Sequence, residues 1–179
     1  MRNAYPVPRG PLRWAKLLVY AALLIAAQGV LSRLSDAAGI PAPDLFLLTG
    51  AALVWRLPPA WALAAAYGVG LGQDLLGSGT LGLHAAGVMG GALLALLVRR
   101  YVADSGLFQS LLTVLLAVTG EWLAFLLLNY WLRADLITVE LFRTTVPLLL
   151  AGTLVVFPLW DRLVSWTFGS RSGPEEQLA

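Results

Sequence analysis

Few side chains in this sequence could do chemistry, and most of them lie among apolar neighbours. Asp74 closes a glycine-rich apolar stretch, and the single histidine, His84, follows across the turn-forming residues Gly77-Ser78-Gly79-Thr80. Glu121 and Asn129 stand within a long apolar run over residues 107–132. An aspartate beside a histidine is the pairing used for general acid–base work or a proton relay. No third member completes it. Ser78 and Thr80 lack the strand–turn–helix setting of an activated nucleophile. One histidine with no cysteine is a thin donor set for a metal. The simpler role for Asp74 is to tie down the turn, accepting hydrogen bonds from backbone N–H groups or from His84. Asp44, directly after Pro43, suits the N-cap of a short apolar helix.

The composition says what medium surrounds these groups. Of 179 residues, 59% are hydrophobic and 12% charged, against roughly 45–50% and 25% in soluble domains. So few charges could not cover a water-facing surface, and the mean hydropathy of +0.77 agrees. The absence of cysteine excludes disulfides and thiolate metal sites. No phosphate loop, zinc-protease pair or Gly-x-Ser-x-Gly is found, so no enzyme activity, cofactor, metal or nucleic-acid partner is expected.

The elements that must position the polar groups are therefore membrane spans, and the expected fold is an all-α, polytopic, six-helix transmembrane bundle. The spans are expected at residues 16–31, 44–55, 59–76, 82–98, 107–132 and 145–160, with a polar loop over 32–43. The second is short for a crossing that takes about 20 residues. Pro6, Pro8 and Pro11 keep residues 1–14 irregular, and residues 163–179 form a polar tail after a 15–162 transmembrane domain. A basic start before an apolar run also fits a cleaved signal peptide, but five further spans make a first span the more economical reading. With both ends inside, the inner segments hold nine basic residues: Arg2, Arg9, Arg13, Lys16, Arg56, Arg99, Arg100, Arg162 and Arg171. The outer loops hold three, Arg33, Arg133 and Arg143. That asymmetry predicts cytoplasmic N and C termini.

Glu121 lies about 21 Å along the fifth span, near the bilayer midplane. Two readings stand for it: a functional intramembrane acid, or a neutral acid donating one hydrogen bond to a carbonyl or to Gln28, Thr113 or Thr153. Small residues at i, i+4 spacing mark close helix approach. They occur as Ala64/Gly68/Gly72 on the third span and as Gly82/Ala86/Gly90 and Gly87/Gly91 on the fourth. They serve packing within the chain, or one such face receives a helix from another protein.

Several of these residues together resemble a known family. The approach Pro41-Ala42-Pro43-Asp44, the run Gly72-Gln73-Asp74-Leu75-Leu76-Gly77-Ser78 and the restart Leu81-Gly82-Leu83-His84-Ala85 are similar to MreD, the rod shape-determining membrane protein of bacteria. The resemblance implies an inner-membrane component of the elongasome, and an architecture like the substrate-binding S components of energy-coupling-factor transporters. It implies MreC as partner, through that protein's single transmembrane helix, and indirectly MreB and the elongation peptidoglycan synthase. On this expectation Gly68, Gly72, Gly82, Ala86 and Gly90 form the docking face, with self-association left open. An alternative is an S component binding a small vitamin-like ligand, with Asp74, His84, Glu121 and Asn129 lining its cavity. A third is an intramembrane enzyme using Asp74, His84 and Glu121.

Overall fold

A computed structural model describes residues 11–77, 80–102, 107–133 and 139–170. Arg2, Arg9, Ser78, Gly79, Arg171 and the rest of the tail from 171 onward lie outside the described residues. Six helices follow in order: α1 Pro11–Ala38, α2 Leu45–Val54, α3 Pro59–Leu76, α4 Leu83–Tyr101, α5 Leu107–Leu132 and α6 Val139–Phe168. Four of them contain stretches long and apolar enough to cross a membrane: Trp14–Ala38, Leu83–Tyr101, Phe108–Leu132 and Phe142–Phe168. The chain is an all-α membrane protein.

Several boundaries differ from expectation. Residues 11–14, expected to be irregular, are helical, because Pro11 sits in the first turn of α1, where its missing N–H costs nothing. α6 begins at Val139, ahead of the expected 145. The polar residues 32–38 continue α1, because a helix outside the apolar core satisfies its own backbone whatever its side chains. α1 ends only at Gly39, in the left-handed region with φ +67°. There the Gly39 N–H bonds Asp36 O and the Ile40 N–H bonds Ser35 O, the paired arrangement that closes helices at a glycine. α6 likewise runs eight residues past Trp160, carrying Asp161 and Arg162 inside the helix.

The short second element is the centre of the fold. α2 packs against all five other helices, and every residue from Leu45 to Trp55 is buried. At ten residues it is about 15 Å long, half of a hydrocarbon core of about 30 Å. Its first turn lies at mid-depth. Gln28, in the middle of α1, binds the chain there, and Pro43 packs against Gly152 in the middle of α6. Before α2 runs the extended segment 40–44, five residues that can stretch over about 16 Å. Irregular backbone is tolerated at this depth only where protein surrounds it. Here Pro41 and Pro43 also remove two N–H donors that would otherwise need partners.

Hydrogen bonds fix the helix directions. Arg56, just past α2, pairs with Asp161 Oδ1 at 2.9 Å near the end of α6. Arg99, in the last turn of α4, donates to Val54 O and Leu57 O at the end of α2. Lys16 of α1 lies over the Trp166 ring of α6, and Tyr20 meets Phe168 edge-on. The start of α1 and the ends of α2, α4 and α6 thus share one end of the bundle, the terminal end. Asp74 and the start of α4 lie at the other, far end. Thr49 of α2 joins three helices, meeting Tyr20 Oη at 2.6 Å and accepting from Trp160 Nε1 at 3.0 Å.

α4 and α5 cross backbone to backbone. A Cβ on Gly120 would overlap the Gly90 carbonyl, and one on Gly90 would come within 2.7 Å of Gly120 O. Gly68 and Gly72 face open space instead. A Gly120→Leu substitution must therefore push two helices apart, at a cost of about 3 kcal/mol or more. Gly68→Leu should leave thermal unfolding in detergent unchanged, whereas Gly120→Leu should lower the midpoint strongly or abolish the monodisperse protein.

Candidate functional site

Two polar centres lie inside the bundle. The first joins α3 to α4 at the far end. Asp74 is 5% exposed, and its carboxylate accepts from Gly82 N at 2.8 Å, His84 N at 3.0 Å and Ala85 N at 3.1 Å. His84 Nδ1 lies 2.9 Å from Asp74 Oδ1. An ionised carboxylate only accepts, so Nδ1 carries the proton in that contact. Three orphan N–H groups at a helix start and a negative charge against its positive dipole end make one capping device. The cap comes from a neighbouring helix, which closes the turn as the sequence suggested. Gly82 belongs to it through its backbone: its φ of +94° is a conformation that strains any other residue by roughly 1–2 kcal/mol.

The second centre surrounds the start of α2. Asp44 caps the helix, accepting from Leu47 N at 2.8 Å, as its place after Pro43 predicted. Its other oxygen accepts from Gln73 Nε2 at 2.9 Å. Gln28 clamps both sides of it, donating to Pro43 O at 3.2 Å and accepting from Leu45 N at 2.8 Å. Glu121, 2% exposed, faces the Asp44 carboxyl inside the bundle.

The expected partners of Glu121 are otherwise engaged or turned elsewhere. Gln28 serves the backbone of α2, and Thr113 donates to Gln109 O at 2.7 Å in its own helix. Thr153 Oγ1 is buried without a hydrogen bond. Gln28 and Gln73 as holders of Asp44, and Arg56 as the anchor between α2 and α6, were not singled out from the sequence as parts of a site. The signal for Gln73 is its place beside Asp74. For Arg56 it is a charge between an apolar helix and Pro58-Pro59.

The structure brings Asp74 to His84 and Glu121 to Asp44. It leaves Asn129 apart from both, on the wall of a cavity of about 470 Å³ between the Thr80–Leu83 segment and the outer half of α5. Its other walls include Trp122, Phe125 and Leu132. Across α4 runs a separate apolar groove of about 440 Å³. Ala86, Met89, Gly90 and Leu93 form its floor, Leu63 of α3 one wall, and Leu123 and Leu127 of α5 the other. Gly82 and Gly90, expected on a docking face, thus have structural tasks in the chain. Ala86 lies in the groove, while Gly68 and Gly72 lie on the uncovered side of α3. No cluster of three or more potential metal-ligating side chains occurs among the described residues.

Comparisons with protein-family models, curated proteins and solved structures return no match for this chain.

Asp74→Ala would strand three backbone N–H groups and His84, and bonds to a charged acceptor contribute about 1.5–3 kcal/mol each. Thermal unfolding should show several kcal/mol of loss, with His84→Ala milder because the backbone bonds remain. Glu121→Gln keeps shape and hydrogen-bonding capacity beside Asp44, so it should stay within about 1 kcal/mol of the parent. Glu121→Leu, which offers Asp44 no partner, should be clearly less stable in the same assay.

Proposed function

We propose that this chain is a membrane scaffold that receives one transmembrane helix from a partner protein in the groove across α4. The groove carries the reading. Its floor contains the small Ala86, where a helix can approach closely, and its walls are aliphatic throughout. In lipid, where burial of apolar surface drives little, shape of this kind decides which helices associate. Met89, Leu93, Leu123 and Leu127 are all exposed in the isolated chain, so a helix laid there would find ready side-chain contacts.

The resemblance to MreD makes the partner MreC and the setting the inner membrane of a rod-shaped bacterium. In that setting both termini are cytoplasmic, because Lys16, Arg100 and Arg162 gather at the terminal end of the bundle. The segment 40–44 and α2 then count together as the second of six crossings. The architecture would be that of an S component put to a different use. The S-component activity itself fits less well: Thr80, Asn129 and the unpaired Trp122 indole N–H are the polar groups of the cavity lining, few for a vitamin-like ligand with many hydrogen-bonding groups.

Co-expression with a single-span, coiled-coil partner of the MreC type tests the proposal. Ala86→Leu raises the groove floor, and the retained partner should fall at least about tenfold, equivalent to ~1.4 kcal/mol. Gly72→Leu, on the uncovered side of α3, should leave the complex intact. Loss with Gly72→Leu alone would move the docking face to α3. Failure of any such partner to copurify would remove the scaffold reading.

A further inference from the structure

We propose that the cavity at the far end of α5 holds one hydrocarbon chain of a membrane lipid, its head group at the mouth marked by Asn129 and Thr80. This inference is independent of the partner-helix reading and requires only that the chain be embedded in a bilayer.

The first argument is length. The cavity follows α5 from Trp122 to Leu132, ten residues or about 15 Å of helix. Trp122 adjoins Glu121, at mid-depth, and Leu132 ends the helix. The cleft therefore covers the depth of one leaflet, half of a hydrocarbon core of about 30 Å.

The second is width. A volume of about 470 Å³ spread over about 15 Å gives a channel roughly 6 Å across, room for a single hydrocarbon chain. The site is distinct from the groove across α4, whose floor is Ala86, Met89, Gly90 and Leu93.

The third is polarity along the axis. The inner end is aromatic, with Trp122 packed edge-on against Phe125 and Phe142 at ring distances of 5.9 and 5.6 Å. The hydroxyl of Thr80 and the amide of Asn129 lie towards the outer end, the inner end carries a single polar atom, the unpaired Trp122 indole N–H, and no charged residue lines the cavity. Such a gradient suits an amphiphile whose tail points to the midplane, without selecting the sign of its head group. An empty apolar cleft of this size would forfeit dispersion contacts along its whole lining, and the surrounding bilayer supplies chains that restore them.

The test uses the full chain in vesicles of phosphatidylethanolamine and phosphatidylglycerol. They are doped with a phosphatidylethanolamine carrying a photoreactive diazirine at the distal end of one chain. After irradiation and digestion, adducts should concentrate on the segment holding Trp122 and Phe125. Thr80→Trp and Leu132→Trp, each placed at the exposed mouth, should reduce that labelling about tenfold. Val155→Trp, on an exposed face of α6, should not change it. Labels spread evenly over the exposed faces of α1 and α6 would overturn the proposal. So would labelling at Trp122 and Phe125 that both mouth variants leave unchanged.

Discussion

A helix of ten residues buried on every side needs protein groups to satisfy the backbone at its ends, and the rest of this bundle is arranged to meet that constraint. The start of α2 is held by the Asp44 cap and by Gln28, which takes the Leu45 N–H and covers the Pro43 carbonyl. Its end is held by two arginines: Arg56 donates to Ala52 O at 2.6 Å and Arg99 to Val54 O at 2.6 Å. Acid at the positive end and base at the negative end is also the favourable arrangement for the helix dipole. Because these groups come from α1, α4 and the α2–α3 link, satisfying one short helix fixes the depth and direction of its neighbours.

The same constraint accounts for the buried acids. An ionised carboxylate in hydrocarbon is expensive unless paired or hydrogen-bonded. Asp74 meets that condition with the N–H groups of another helix, which need an acceptor as much as it needs donors. Asp44 meets it as the cap of α2, accepting from the Leu47 N–H and from the amide of Gln73, with Glu121 beside it. Gln73 and Asp74 are adjacent, so one turn of α3 supports both centres: one side chain steadies the start of α2, the next the start of α4. Apart from Gln73 Oε1, buried without a partner, both arrangements use their polar atoms on the protein itself, which is the behaviour of a frame.

What the sequence made legible follows from the range of the interactions. The positions of the helices, the Asp44 cap and the Asp74–His84 turn are local, and each was readable from spacing alone. The partner of Glu121 and the anchor of Arg56 join residues 77 and 105 positions apart, and nothing in local pattern pairs them. The glycine face shows a different limit. On α3 the i, i+4 series Ala64/Gly68/Gly72 and Ala62/Ala66/Gly70 are two residues out of step, hence about 200° apart around the helix. The structure buries the second, with Gly70 against the backbone of His84 and Ala85, and exposes the first. Asp74 continues the buried series, and an acid that must find partners inside the protein marks the inward face better than the glycines do.

Charge at the terminal end carries a related distinction. Arg56 and Arg99 count towards a basic inner side in the sequence, yet their guanidinium groups are engaged by carbonyls of α2 and by Asp161, with the Arg56 side chain 1% exposed. An arginine that closes a helix inside the bundle would be required there whichever side of the membrane that end faced. The orientation therefore rests on Arg13, Lys16, Arg100 and Arg162 at the terminal end, set against Arg33, Arg133 and Arg143 elsewhere. Once the two structural arginines are set aside, the bias narrows to those four against those three. Arg2, Arg9 and Arg171, the further charges that flank the first and last spans in the sequence, widen it again, where the positive-inside rule has most of its force.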